Sequence, residues 1–167
     1  YKDEKFKFKR TTEGLIFGGS ASPRQQTELW NGAVWTETND MTKSRQYLSG
    51  AGTQPAAIAI SGQTSPGGAL ESASEEWNAN VPTSAWSTSG NLNAGREAIA
   101  GAGASKTSAI AFGGKTAPGP TTGGTELYDG TSWAELNDMN EARNRLAGTG
   151  TATAALAIGG SPAPGPT

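Results

Sequence analysis

Thr125-Glu126-Leu127-Tyr128-Asp129-Gly130-Thr131-Ser132-Trp133-Ala134-Glu135-Leu136 is the stretch from which the rest of this chain can be read. Two short runs of apolar, aromatic and β-branched residues flank an Asp-Gly pair. Such pairs tolerate the positive φ that a two-residue type I′ hairpin turn needs at both centres, so the stretch predicts two antiparallel strands and a tight turn. The same phrase stands earlier as Thr27-Glu28-Leu29-Trp30-Asn31-Gly32-Ala33-Val34-Trp35. A hairpin that returns in almost the same words signals a repeat, and a repeat defines an architecture.

The repeat extends outward from Trp35, Trp86 and Trp133. Ten positions after each comes an arginine, Arg45, Arg96 and Arg143, and the arginines are 51 and 47 residues apart. Five and seven positions after each arginine are Gly50 and Gly52, Gly101 and Gly103, and Gly148 and Gly150. An apolar run then closes on glycine: Ile58-Ala59-Ile60-Ser61-Gly62, Ile110-Ala111-Phe112-Gly113-Gly114 and Leu156-Ala157-Ile158-Gly159-Gly160, with Leu15-Ile16-Phe17-Gly18-Gly19 as a partial fourth copy. A loop rich in Pro, Gly, Ser and Thr follows each, then Glu28-Leu29-Trp30, Glu75-Glu76-Trp77 or Glu126-Leu127-Tyr128. Each unit resolves into four short strands. The first runs from the arginine to the Gly-x-Gly, the second is the apolar run, the third carries Glu-x-aromatic and the fourth starts near the anchor tryptophan. Ile58 and Ile60 would point to one face of the second strand and Ala57 and Ala59 to the other; with both faces apolar, that strand should lie buried between neighbouring units. Four antiparallel strands at a period near 50 match a β-propeller blade.

Composition bounds the rest. The chain has 167 residues, with 24 Gly, 9 Pro, five Trp, no Cys, no His and a formal charge of −2. Without His or Cys there is no imidazole base, no Ser-His-Asp relay, no thiolate nucleophile, no disulfide and no zinc site of the usual kinds. The slight negative charge argues against nucleic-acid binding, and no apolar stretch approaches the roughly 18 to 20 residues of a membrane span. The first residue is Tyr1, so the chain reads as a processed product or part of a longer one.

The units resemble the kelch repeat: a glycine pair, Glu-x-Tyr/Trp, a Trp about six residues on, then Met-x-x-x-Arg. Here these are Gly113-Gly114, Glu126-Leu127-Tyr128, Trp133, Met139 and Arg143, and again Gly18-Gly19, Glu28-Leu29-Trp30, Trp35, Met41 and Arg45. The middle copy departs, with Ser61 for the first Gly, Leu92 at the Met position and a longer hairpin containing Pro82. The resemblance implies an all-β kelch-type β-propeller of about three and a half four-stranded blades, over 5-38, 45-88, 96-137 and a half-blade at 143-160. Residues 1-13 read as an amino-terminal basic, aromatic strand or arm, and 14-167 as the repeats. A ring needs about four to eight blades, so this one would be part of a larger propeller or be completed by another chain, two copies giving seven.

Phrases such as Thr-Glu-Leu-Trp-Asn-Gly also resemble the kelch-like proteins of marine and cyanobacterial tailed phages. That likeness implies a non-enzymatic structural and binding module in a virion, in a tail or appendage. Its partners would be other virion proteins, copies of itself or a host-surface glycan. The alternative is an intracellular kelch-type interaction adaptor. An enzyme ranks last, since the kelch-like copper oxidases need histidines and a cysteine, and no cofactor is expected.

Residues recurring once per blade read as structure. Glu28, Glu75 and Glu126 could form a carboxylate ring, but are better read as ties between strands. Arg45, Arg96 and Arg143 should pair with a neighbouring blade's carboxylate or carbonyls. Trp30, Trp35, Trp77, Trp86 and Trp133 could stack sugars but should form the core, Trp77 being the least regular because it adjoins the lengthened hairpin. Asn39-Asp40 and Asn137-Asp138 read as turn residues bonding their own backbone. Lys5-Phe6-Lys7-Phe8-Lys9-Arg10 reads equally as a docking arm or a half-exposed edge strand. Binding is expected on rim loops after the glycine pairs, with Arg24, Gln25, Trp77 and Lys115 as candidates.

Overall fold

A computed structural model describes residues 13–20, 22, 24–64, 68–82, 84–117 and 119–162. The expected strand or arm at 5–10 lies outside the described residues. Among those described, every regular element is a β-strand and every ladder is antiparallel.

The elements fall into the anticipated units. β1 (Gly14–Phe17), β2 (Thr27–Trp30) and β3 (Trp35–Thr38) form a three-stranded sheet. β4 (Ser49–Thr53), β5 (Ala56–Ile60), β6 (Ala73–Asn78) and β7 (Ala85–Asn91) form a four-stranded sheet in sequence order. After the short β8 (Arg96–Glu97) come β9 (Ala100–Ser105) and β10 (Ser108–Phe112). The short β11 (Lys115–Thr116) pairs back to β8, and β12 (Thr125–Tyr128) and β13 (Trp133–Leu136) complete the order β9-β10-β12-β13. Last come β14 (Arg143–Asn144), the hairpin of β15 (Ala147–Thr151) and β16 (Ala154–Ile158), and β17 (Ser161–Pro162), which pairs with β14. The arginines thus precede the long first strands instead of lying in them. Arg96 and Arg143 start separate two-residue ladders.

Neighbouring sheets pack face to face, and the second strand of each unit is what makes this work. Ile58 and Ile60 of β5 pack with Ala109, Ala111, Tyr128 and Trp133 of the following sheet. From its opposite face, Ala57 and Ala59 join Trp77, Trp86, Leu15 and Phe17, against the preceding sheet. Phe112 and Ile110 repeat the arrangement against Leu146 and Ala157. Met41, Leu92 and Met139, at one repeat position, each enter one of these three clusters. The first strands β4, β9 and β15 lie side by side, and their small residues permit it: a Cβ on Gly148 would come 2.4 Å from the carbonyl oxygen of Gly101.

Tryptophan burial follows from this stacking. Trp86 Nε1 donates to Thr27 Oγ1 (2.9 Å), and Trp133 Nε1 reaches Ser74 Oγ at 3.4 Å, each bond crossing to the preceding sheet. Trp35 has no preceding sheet among the described residues and is 46% exposed. It stacks on Trp30 at 5.4 Å, outside the buried clusters, so the expectation of a core role does not extend to it.

Two local expectations need correction. Asn31-Gly32 and Asp129-Gly130 do not form two-residue type I′ turns. Trp30 pairs with Trp35 and Tyr128 with Trp133, which leaves four-residue loops with positive φ at Gly32 and Gly130 but not at Asn31 or Asp129. The Asx side chain makes the longer loop favourable. Asn31 Oδ1 accepts the N–H groups of Ala33 and Val34, and Asp129 Oδ1 those of Thr131 and Ser132. The backbone bonds from Ser132 and Thr131 hold the Asp129 carboxyl below its ordinary value. The second correction concerns Asp40, expected to bond its own backbone: its Oδ2 accepts from Gln25 Nε2 (3.3 Å), while Asn39 Nδ2 donates to the Ser84 carbonyl (2.8 Å).

Candidate functional site: a groove where the units converge

Two residues beyond each repeat arginine, the backbone enters the left-handed region with side chains that seldom favour it: Tyr47 (φ 54°), Ala98 (φ 52°) and Arg145 (φ 55°). The conformation serves a relay between units. Ala98 N–H donates to the Tyr47 carbonyl (3.0 Å) and Arg145 N–H to the Ala98 carbonyl (2.8 Å). Beside it runs a second relay, in which the N–H groups of Gly19, Gly62 and Gly114 donate to the carbonyls of Arg45, Arg96 and Arg143. This explains the glycine pairs. Gly114 has φ +98°, and a Cβ there would meet the Glu97 carbonyl at 2.9 Å. At the departing Ser61, also left-handed, the hydroxyl accepts the Arg96 N–H (3.0 Å) and lies 2.6 Å from the Arg96 carbonyl.

The three left-handed residues line one groove of about 620 Å³, with Gln63, Glu97, Lys115, Thr121 and Asn144 among its walls. Glu97 and Lys115 face each other across the β8–β11 ladder. Tyr47 is 55% exposed. The side chains of Arg145 and Lys115 make no hydrogen bond or ion pair among the described residues. Polar groups around them are oriented: Gln46 Nε2 donates to Gln63 Oε1 (3.0 Å), and Asn144 Nδ2 to Thr121 Oγ1 (2.7 Å). Two free cations, an aromatic ring and fixed amides can bind a hydroxylated or anionic molecule. Among the described residues no group of three acidic, His or Cys side chains is placed to hold a metal.

The recurring charges lie elsewhere, and in two of the three units that carry the arginine they are consumed by the fold. Arg45 Nη2 meets Glu75 Oε1 at 2.5 Å, and Arg45 Nη1 donates to the carbonyls of Ser61 and Ala73. Glu75 Oε2 accepts from the Thr42 N–H and Oγ1, both at 2.7 Å. Arg96 and Glu126 repeat this clasp, with Gly113 and Gly124 supplying the carbonyls and Asn93 N–H the second carboxylate bond. Burial lowers the Arg96 pKa although Glu126 works to raise it. In both clasps the partner is a glutamate of the same unit, where a neighbouring unit's was expected. The strand order brings the third strand back beside the residue that starts the unit. Arg143 holds only the Gly159 carbonyl (2.8 Å), and Glu28 has no partner among the described residues.

The rim candidates separate. Lys115 lies in the groove. Arg24 Nε donates to the Ser20 carbonyl (3.2 Å), and Gln25 accepts from Ser44 Oγ (3.0 Å) while donating to Asp40, all outside the groove. Trp77 is no rim residue. It sits in β6 with no exposed surface, and its Nε1 donates to the Gln54 carbonyl (2.9 Å). The lengthened hairpin lies beyond the end of its strand and leaves the ring in the core. Sequence reasoning missed Tyr47 and Arg145 because they are 98 positions apart and share no motif; the one signal was their common offset from the repeat arginines.

A further polar cluster joins two sheets. Glu76 Oε1 accepts from Tyr128 Oη (2.7 Å) and Ser89 Oγ (3.1 Å), Glu76 Oε2 accepts from Lys106 Nζ (3.0 Å), and Ser89 also touches Tyr128. Burial acts to raise the Glu76 pKa, but the bonds from Tyr128, Lys106 and Ser89 outweigh it and hold the carboxyl below its ordinary value. Burial and the adjacent carboxylate push the Tyr128 phenol up.

The solved structure of YjhT is similar to this chain, with a TM-score of 0.71 and 13% identity over 83% of this chain and 46% of YjhT. The likeness is one of fold, and the chain spans under half of that protein's length. No family model and no curated protein matches the sequence.

Proposed function

We propose that this chain is a segment of a kelch-type β-propeller, three and a half blades long, acting as a non-enzymatic binding module whose ligand enters the groove at Tyr47, Ala98 and Arg145. One observation carries the reading. A single repeat position, held in the same left-handed backbone and the same relay, bears an aromatic, a methyl and a guanidinium in successive units. Where the scaffold is constant and its side chains vary, the variation belongs to recognition rather than to folding. With Lys115 and Arg145 unpaired among the described residues, the ligand is a hydroxyl-rich molecule carrying negative charge, and an acidic glycan fits that chemistry.

The wording of the repeats extends the proposal to a phage virion, where the module would present the groove and rim loops to a host surface or to other virion proteins. Two measurements test it. A glycan array probed with the chain should favour acidic over neutral glycans, and Arg145→Ala should abolish the signal; a blank array removes the glycan reading. Mass spectrometry of purified particles should find the chain, and its absence removes the virion reading.

A further inference from the structure

Asn31 is the one asparagine of this chain that precedes a glycine. It stands in the loop between β2 and β3, where residues 31–34 are all exposed. The corresponding Asp129 is exposed although a sheet packs against Tyr128 and Trp133 of its unit, so exposure belongs to the loop itself. β2 runs back antiparallel along β1, with Thr27 opposite Phe17 and Trp30 opposite Gly14. The loop therefore lies at the end of the sheet away from Gly18-Gly19, and the residues that follow such glycine pairs in other units line the groove.

The surroundings of the Asn31 carboxamide bear on its reactivity. Gly32 has no side chain, and its N–H makes no hydrogen bond among the described residues, so that nitrogen is open toward Asn31 Cγ. Asn31 Oδ1 accepts the N–H groups of Ala33 and Val34, both at 3.0 Å. These donors polarise the carbonyl and stabilise the charge its oxygen gains when Cγ is attacked. In the unit of β12 and β13 the same loop carries Asp129-Gly130, whose Oδ1 takes the N–H groups of Thr131 (2.8 Å) and Ser132 (2.9 Å). The scaffold thus already holds the acid that the Asn31 amide would yield. The bonds from Ser132 and Thr131 also keep Asp129 ionised, and a carboxylate is a poor electrophile, so the chemistry open to Asn31 is closed to Asp129.

We infer that Asn31-Gly32 is an intramolecular modification site, at which the folded loop converts the asparagine to aspartate and gives this hairpin the Asp-Gly form of the β12–β13 hairpin. The Gly32 nitrogen adds to Asn31 Cγ and passes its proton to water. The Cγ–Nδ2 bond then breaks, Nδ2 takes up a proton and leaves as ammonia, and a cyclic imide remains. Water opens the imide at one of its two carbonyls. Attack at Cγ breaks the bond from Cγ to the Gly32 nitrogen, which regains a proton, and leaves aspartate. Attack at the main-chain carbonyl leaves isoaspartate. The Ala33 and Val34 N–H groups act on the oxygen of Cγ, so they direct water to the first course. Water is the only co-reactant.

The test holds the full chain native at mildly alkaline pH for several weeks, beside the same chain unfolded in guanidinium chloride. Tandem mass spectrometry of the tryptic peptide 25–43 separates Asn31 from Asn39, and labelling by an isoaspartyl methyltransferase separates isoaspartate from aspartate. In the native chain Asn31 should convert ahead of every other asparagine, with a higher ratio of aspartate to isoaspartate than in the unfolded chain. Gly32→Ala should lose the conversion, and Asn31→Asp should melt with the parent. The comparison of native and unfolded chain uses the unaltered protein, so it stands even if Gly32→Ala folds poorly. The inference is overturned by an Asn31 that converts only when unfolded, by one product ratio in both states, or by an Asn31→Asp variant that melts below the parent.

Discussion

Glu75→Gln is the perturbation that most directly tests the clasp. Arg45 and Glu75 expose 0% and 1% of their side chains, and the glutamate receives the guanidinium on one oxygen and two Thr42 donors on the other. The amide keeps shape and volume but removes the charge, leaving a guanidinium without counter-charge in a site with no access to water. Breaking a buried pair from one side costs about 3–5 kcal/mol. For a chain of this size each kcal/mol moves Tm by about 2–4 °C, so Tm should fall by roughly 6–20 °C. Glu71→Gln is the internal control. Its partner Lys43 is 47% exposed, and such a pair contributes at most about 1 kcal/mol. Urea unfolding followed by tryptophan fluorescence reads both, since Trp77 and Trp86 are buried beside β5. Replacing both partners, Arg45→Met with Glu75→Leu, should recover part of the loss but not all of it. The Ser61 carbonyl would still lose its donor, at about 1–3 kcal/mol, while the Ala73 carbonyl keeps the Ser61 N–H. If Glu75→Gln costs no more than Glu71→Gln, the clasp is not what ties the third strand to the start of its unit.

Other consequences are as specific. Glu76 has a folded-state pKa below its ordinary 4.5, so its cluster contributes stability that is present above that value and lost as pH falls through the folded one. Glu76→Gln should flatten the stability profile on the acid side of pH 4.5, and an unchanged acid limb would refute the assignment. Tyr128 is shifted the other way, so its contribution holds below pH 10.0 and declines as pH rises above it; Tyr128→Phe should remove that alkaline decline, followed by urea midpoint. Gly114→Ala places a Cβ at φ +98° and 2.9 Å from a carbonyl, so a loss of at least about 1–2 kcal/mol is expected in denaturant melts. Lys115→Ala, at an exposed groove position, should leave Tm within about 1–2 °C of the parent while reducing glycan binding.

Much of the fold is legible along the chain because its signals are local. Alternation in Ala56–Ile60 with both faces apolar specifies a buried strand, and the tryptophan and arginine spacings set the size of each unit. Turn geometry was less legible, since Asn-Gly and Asp-Gly serve both two-residue and four-residue loops, and the Asx side-chain bonds decide between them. Burial of the tryptophans was legible only as an average: Trp35 and Trp86 hold one repeat position, and what separates them is whether, among the described residues, another sheet lies against them.

The sequence by itself determined the repeat and the strands within it, because each depends on neighbours a few positions away. Tertiary structure alone decided the work of the recurring charges and the place of the groove. A carboxylate 30 residues from its arginine becomes its partner only when the strand order brings them together. Tyr47, Ala98 and Arg145 share a groove only because the relay sets successive units side by side. Chemistry that requires residues from several units to converge has no signature within any one of them.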